Sequence, residues 1–82
     1  MQSKINAAMP LMMLQPGSSA RVLEVRGGRG LTRRLSSMGI LPGSVVSLVR
    51  GAPGGPVIVE ARGSRVIIGR GMAHRVLVQQ LD

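Results

Sequence analysis

Glycine and proline interrupt this chain so often that no β-prone run within it exceeds seven residues. Pro-Gly pairs favour turns, because proline presets the first turn angle and glycine accepts a positive φ. The runs rich in β-branched and aliphatic residues are 9–14, 20–25, 44–50, 56–62, 65–68 and 76–80. The pattern predicts a mainly β fold, a small and strongly bent barrel of five to six short strands with one short α-helix.

Local signals refine this pattern at three places. Apolar residues alternate imperfectly in 20–25, which predicts a bulge or burial on both faces of that strand. Gly63 and Ser64 lie between two β-prone runs and predict a two-residue hairpin connection of type II′. A single turn is expected around 71–74, just before the last strand.

The helix is predicted from Leu31, Leu35 and Met38, which recur at i, i+4 and i+7 on one face. Helices shorter than about 12 to 15 residues do not persist alone in water, so burial of these side chains must stabilise it. Gly39 is placed to take the left-handed conformation that ends a helix, and Gly30 is a modest N-cap. We expect four structural anchors: Leu31, Leu35, Met38 and Gly39.

The chain of 82 residues has room for one domain, because a chain of this size hides only about 60% of its unfolded surface. Lys4 and the apolar-leaning stretch after it resemble a short signal peptide, but Asn6 and Pro10 interrupt that stretch. No run reaches the about 18 apolar residues of a membrane span, so no transmembrane segment is predicted. We expect a flexible leader over 1–8 and one domain over 9–82.

Basic residues dominate the charge of this chain. Eleven lysines and arginines against three acids give a formal net charge of +8. Such a balance indicates an acidic partner: nucleic acid, an anionic membrane leaflet or an acidic protein face. Small barrels that bind single strands stack bases on aromatic side chains, and this chain has none. Nucleic-acid binding is therefore disfavoured, and it stays open only through arginine stacking or phosphate contacts.

Residues suited to catalysis are scarce. The acids are Glu24, Glu60 and Asp82, and the single histidine is His74. No two carboxylates share a local site, and the paired serines of the predicted helix have no neighbouring base. The chain has no cysteine, which excludes a disulfide, a thiolate metal site and a cysteine nucleophile. We therefore predict no catalytic residue and no enzyme.

Metal and cofactor sites are equally weakly indicated. Met9, Met12 and Met13 are thioethers of the kind that bind Cu(I), yet methionine is more often adaptable apolar filler. A lone His74 is usually a surface residue. The segment "GGRG" before the helix lacks the Lys-Ser/Thr pair that completes a phosphate-binding loop. We predict no metal ligand, no cofactor-binding residue and no cofactor.

Four blocks of the sequence, taken in order, resemble one known family. They are "PLMMLQPGSSARVLEVRGG", "RRLSSMGILPGSVVSLV", "GGPVIVEARGSRVII" and "MAHRVLV". The second is the most specific, because Arg34-Leu35, Met38-Gly39 and Pro42-Gly43 occur at a characteristic spacing. Over residues 10–80 the chain resembles the FeoA family, small cytoplasmic proteins of bacterial ferrous iron uptake. The resemblance implies an SH3-like barrel.

The resemblance also implies a function. Proteins of this family are accessories to FeoB, the membrane transporter for Fe(II), so we expect a non-enzymatic protein that docks on FeoB to assemble or regulate it. The expected location is cytoplasmic, with peripheral contact at the inner membrane left open. The same barrel forms the C-terminal domain of metal-dependent repressors, but no helix-turn-helix precedes it here.

Our hypothesis for the docking site is a patch beside the helix. Its predicted partner-binding residues are Arg33, Arg34, Leu41, Pro42 and Gly43. Two alternatives remain, a basic nucleic-acid-binding barrel and a self-associating interaction domain. In the second, a homodimer forms through an exposed edge strand such as 9–14.

Overall fold

The computed structural model describes residues 8–51 and 54–81. The predicted leader lies outside these ranges except for Ala8. The strands are β1 (Ala8–Pro10), β2 (Ser19–Val25), β3 (Val45–Gly51), β4 (Val57–Ala61), β5 (Ser64–Ile68) and β6 (Val76–Gln80). The helices are α1 (Arg29–Ser37) and α2 (Arg70–His74), and a 3₁₀ turn covers Leu11–Met13.

All six strands form one antiparallel sheet in the order β1-β6-β2-β3-β4-β5. This confirms a mainly β fold of short strands. The sheet is not closed, since among the described residues β1 and β5 do not pair with each other. The β2–β6 register shifts between Val22 and Glu24, which confirms the predicted irregularity of the second strand. The β3–β4 register shifts between Leu48 and Arg50.

The core is entirely aliphatic. No described residue with a polar or charged side chain is buried, so packing alone fills the interior. Strands contribute alternate residues, as in β4, where Val57, Val59 and Ala61 are buried. The largest fully buried side chains are Leu11, Leu35, Ile40, Ile68, Val22, Val46, Val59, Val76 and Val78.

The first strand is shorter than the predicted 9–14. It ends at Pro10, which has no N–H to extend the ladder, and the chain then turns through the 3₁₀ segment. The Leu14 N–H donates to the Leu11 carbonyl over 3.1 Å. Both of these leucines are buried. An extended strand would have placed them on opposite faces of the sheet, so core packing selects the turn.

The predicted type II′ connection at Gly63 and Ser64 is wrong in two respects. The turn lies one residue earlier in the chain, and it is of another type. Ala61 pairs with Ser64, so the connecting residues are Arg62 and Gly63. Both have positive φ, 54° and 77°, as a type I′ turn requires. The twist of a type I′ turn matches that of paired strands, which offsets the unfavourable left-handed conformation at Arg62.

Truncating Leu35 to alanine should lower the free energy of unfolding by about 2–5 kcal/mol, because this fully buried side chain joins α1 to the core. Urea denaturation measures the change. The control is Val45→Ala on an exposed position, expected within about 0.5 kcal/mol of the unmodified protein. Equal losses in both variants would show that Leu35 does not anchor α1.

Candidate docking surface

The end of α1 is fixed by a left-handed glycine. Gly39 has a φ of 89° and its N–H donates to the Ser36 carbonyl over 2.9 Å. The next N–H, of Ile40, donates to the Leu35 carbonyl over 2.9 Å. These two bonds define a Schellman motif, and Leu35 and Ile40 supply its usual apolar contact inside the core. Gly39 therefore occupies the C′ position that the sequence indicates.

The other two predicted anchors lie on the same helix and at its C-cap. Leu31 and Met38 are partly buried and pack against the core that encloses Leu35. The helix begins with Gly28 as its N-cap, two residues before the weak signal at Gly30. In its first turn, the Thr32 hydroxyl donates to the Gly28 carbonyl over 3.1 Å.

The predicted turn residues form a braced type II turn. The Ser44 N–H donates to the Leu41 carbonyl over 3.0 Å, with Pro42 and Gly43 at the central positions. Gly43 has a φ of 94°, as the second central residue of this turn requires. The Ser44 hydroxyl donates to the same Leu41 carbonyl over 2.7 Å. Pro42 and Gly43 are exposed and Leu41 is half-buried.

This turn is joined to β2 by a G1 bulge. The Gly43 N–H donates to the Val22 carbonyl over 2.8 Å, and the Val22 N–H donates to the Ser44 carbonyl over 2.8 Å. Two residues of one strand therefore face one residue of the other. Because both bonds tie the turn to a strand that is buried in the sheet, the exposed loop has a fixed position.

Two exposed apolar side chains beside the turn were missed by sequence reasoning. Leu23 is 41% exposed and Val45 is 48% exposed. Arg21 pairs with Val45, so these two exposed side chains lie on one outer face. Leu23 is exposed at the register shift of β2, next to the buried Val22. Strand alternation around the buried Val22 and Val46 is the signal that could have identified them.

A further arginine reaches the end of α1 from the β4–β5 hairpin. A Cβ built on Gly39 would lie 2.9 Å from both Cγ and Cδ of Arg62 and 3.3 Å from its Nε. The Arg62 side chain therefore lies directly over Gly39. A cation is favoured at this place, because carbonyl groups at the C-terminus of a helix carry partial negative charge. No local pattern indicates this contact, since it depends on tertiary packing.

Arg33 and Arg34 are exposed on α1. Within the described residues, no ion pair holds either guanidinium. The described residues show no hydrogen bond from Arg33 or Arg34 to the turn. The short segment 38–40 connects the helix that carries these arginines to the turn. We call the whole region the turn surface. It comprises Arg21, Leu23, Arg33, Arg34, Leu41, Pro42, Gly43, Val45 and Arg62.

The remaining candidate residues are dispersed. Glu24 accepts from the Arg26 Nε over 3.3 Å, and Glu60 is exposed on β4. Met9 and Met12 pack partly against the core, whereas Met13 is exposed. Across residues 8–51 and 54–81, no three side chains of the His, Asp, Glu or Cys type are grouped for a metal. No helix in those ranges is long and apolar enough to cross a bilayer.

An open six-stranded antiparallel sheet, two short helices and an exposed braced turn place the chain in the class of small, mainly β proteins with a barrel-like sheet. A sequence model of the FeoA domain matches residues 9–80. A curated relative from Methanocaldococcus jannaschii, named as a candidate Fe(2+) transport protein A, is 37% identical over 73 residues, 89% of this chain and 88% of its own. The chain belongs to the FeoA family, a family of transport accessory proteins.

Solved structures agree with this assignment. A crystal structure of an iron uptake regulatory protein, FeoA, matches with a TM-score of 0.87 and 36% identity, over 92% of this chain and 100% of that chain. A manganese-dependent transcriptional repressor matches with a TM-score of 0.82 at 21% identity, over 98% of this chain and 45% of its own. The second likeness shows a shared fold.

Replacing Gly43 with alanine should lower the free energy of unfolding by about 1–2 kcal/mol, because a side chain disfavours its positive φ although nothing blocks the space. Gly30→Ala is the matched control. It also adds a methyl group in open space, but within α1, and should raise stability by up to about 1 kcal/mol. Thermal and urea unfolding measure both. If both substitutions change the free energy of unfolding in the same direction, the assigned role of Gly43 is contradicted.

Proposed function

We propose that this protein is a non-enzymatic accessory of ferrous iron uptake that docks through its turn surface on the cytoplasmic side of a FeoB-type transporter. The observation that carries the proposal is the braced turn. Backbone hydrogen bonds hold it against β2, yet its apolar neighbours Leu23 and Val45 remain in water. Family membership supports the link to iron transport.

The chemistry of the turn surface suits a protein partner. Interfaces are enriched in arginine around an apolar centre, and a pre-formed surface loses less entropy on binding. Leu23, Leu41, Pro42 and Val45 supply the apolar part. Arg21 pairs with Val45, and the Arg62 side chain lies over Gly39. An acidic face on the transporter would complement these charges. The high positive charge also suits work beside an anionic membrane leaflet, which fits a cytoplasmic location at the inner membrane.

The docking proposal predicts that reversing Arg33 and Arg34 together to glutamate weakens binding to the transporter by about tenfold or more at low salt. Binding is measured with labelled protein and membrane vesicles that contain the FeoB-type transporter, against vesicles without it. Val45→Asp should weaken binding in the same way, because it places a charge at the apolar centre. Neither change alters a buried residue, so the folded state is retained.

The control for this experiment is Arg65→Glu on β5, an exposed position outside the turn surface. It should retain at least half of the affinity. If Arg65→Glu lowers the affinity for the transporter vesicles as much as the turn variants do, net charge alone drives the association. If Val45→Asp binds normally, docking uses another face.

Self-association is a second candidate function, and a specific observation favours β5 as its edge. β5 ends the sheet, and its Ile67 is 71% exposed opposite the half-buried Ile58. At the edge predicted over 9–14, the strand is β1, which has only three residues, Ala8–Pro10, and ends at a proline. A longer apolar edge without proline is the better template for pairing with a second copy.

Sedimentation of the full chain at micromolar concentration tests self-association. Ile67→Lys should shift the protein towards monomer, because edge lysines oppose strand pairing. Val45→Lys, which adds the same charge at an exposed valine on β3, should leave the distribution unchanged. A monomeric unmodified protein at all concentrations would rule out this candidate.

A further inference from the structure

A second feature of the molecule is a groove with basic sides. It runs between the end of β1, the 3₁₀ turn, α2 and the start of β6. Pro10, Met12 and Leu77 supply apolar lining, and Arg26, Arg70 and Arg75 supply guanidinium groups. None of these residues belongs to the turn surface.

Hydrogen bonds connect the walls of this groove. The Arg26 N–H donates to the Arg75 carbonyl over 2.8 Å, which joins the end of β2 to the start of β6. Pro10 pairs with Leu77 across the β1–β6 ladder. On the opposite wall, His74 Nδ1 lies 3.2 Å from Met12 Sδ, so α2 contacts the 3₁₀ turn. The groove is therefore pre-formed and needs little ordering to accept a ligand.

The groove carries uncompensated positive charge. Glu24 pairs with Arg26 at 3.3 Å, but both side chains are more than half exposed, and such pairs are weak. Arg70 and Arg75 have no ion-pair partner among the described residues. The other described acid, Glu60, lies opposite Arg65 on the β4–β5 ladder, outside the groove. Among the described residues, the three arginines of the groove thus have one carboxylate partner, Glu24 on Arg26, which a stronger ligand can displace.

We propose that this groove binds an extended acidic segment of a partner protein, with an aliphatic side chain between carboxylates. The carboxylates bind Arg70 and Arg75 and replace Glu24 on Arg26, because arginine forms paired, charge-assisted hydrogen bonds with carboxylates. The aliphatic side chain packs on Met12 and Leu77, and methionine adapts to varied shapes. A small anion would leave this apolar lining unused. The proposal goes beyond transporter docking and does not depend on it.

The test uses the full chain and a dye-labelled peptide of eight residues in which glutamate and leucine alternate, followed by fluorescence anisotropy. Loss of two charge-assisted contacts predicts that Arg70→Glu combined with Arg75→Glu weakens binding by about tenfold or more. Arg50→Glu combined with Arg65→Glu is the matched control on β3 and β5, and it should change affinity less than about threefold. All four arginines are exposed, so circular dichroism should show unchanged folding.

Two peptide variants separate the parts of the proposal. A peptide with glutamine in place of glutamate should lose binding, and one with serine in place of leucine should bind more weakly. Equal binding of the glutamine peptide would overturn the proposal. Equal loss in the control variant would also overturn it, because net charge would then explain the affinity.

Competition distinguishes the source of the acidic groups. Inorganic phosphate and phosphatidylglycerol vesicles are titrated against the bound peptide. Persistence of the complex with millimolar phosphate and with vesicles supports a peptide site. Complete displacement of the peptide by phosphate would show a simple anion site. Displacement by vesicles that is lost in the Arg70 and Arg75 variant would show a lipid site. Either result overturns the peptide proposal.

Discussion

The left-handed turn at Gly39 is the constraint on which the rest of the structure depends. It reverses the chain within two residues, so that Leu35 in the helix and Ile40 after it enter the same core. Leu31 and Met38 pack against that core from the same segment, so aliphatic side chains alone hold the helix of nine residues. The same reversal sets the direction in which the chain reaches the braced turn. The left-handed conformation of Gly39 therefore has two consequences: one face of the helix is buried, and the turn surface is exposed.

Two equivalent turns frame the centre of the sheet. Gln15-Pro16-Gly17-Ser18 repeats the arrangement of the turn at 41–44: the Gly17 N–H donates to the Leu48 carbonyl over 2.7 Å, and the Leu48 N–H donates to the Ser18 carbonyl over 3.0 Å. One G1 bulge therefore closes each end of the β2–β3 ladder. Between them, the hydroxyls of Ser19 and Ser47 lie 2.8 Å apart. Register between these strands is fixed from both ends, which keeps the small core on one face.

Features governed by neighbouring residues could be predicted from the sequence, and features governed by tertiary contact could not. The periodicity around Leu35 and the glycine at position 39 predict the helix and its end correctly, because both act within one or two turns of chain. The 3₁₀ turn after Pro10 was missed, since it exists to bury two leucines that an extended strand would separate. In the candidate site, the predicted turn was found as expected, but its neighbours Leu23 and Arg62 come from β2 and from a hairpin. Strand register decides where such residues lie, and one shifted residue at the hairpin was enough to change the turn type.

The arginines raise a different question, because they add little to the stability of this fold. All ten are exposed, and one forms an ion pair within the described ranges, with Glu24. Exposed pairs contribute little, and so many like charges on a small domain disfavour the compact state through mutual repulsion. The core of the described residues is aliphatic and buries no polar side chain, so it tolerates that repulsion because its stability does not depend on charge. The charges are thus better explained by association with acidic partners. Since the turn surface and the groove have no residue in common, one small domain can present positive charge to two such partners.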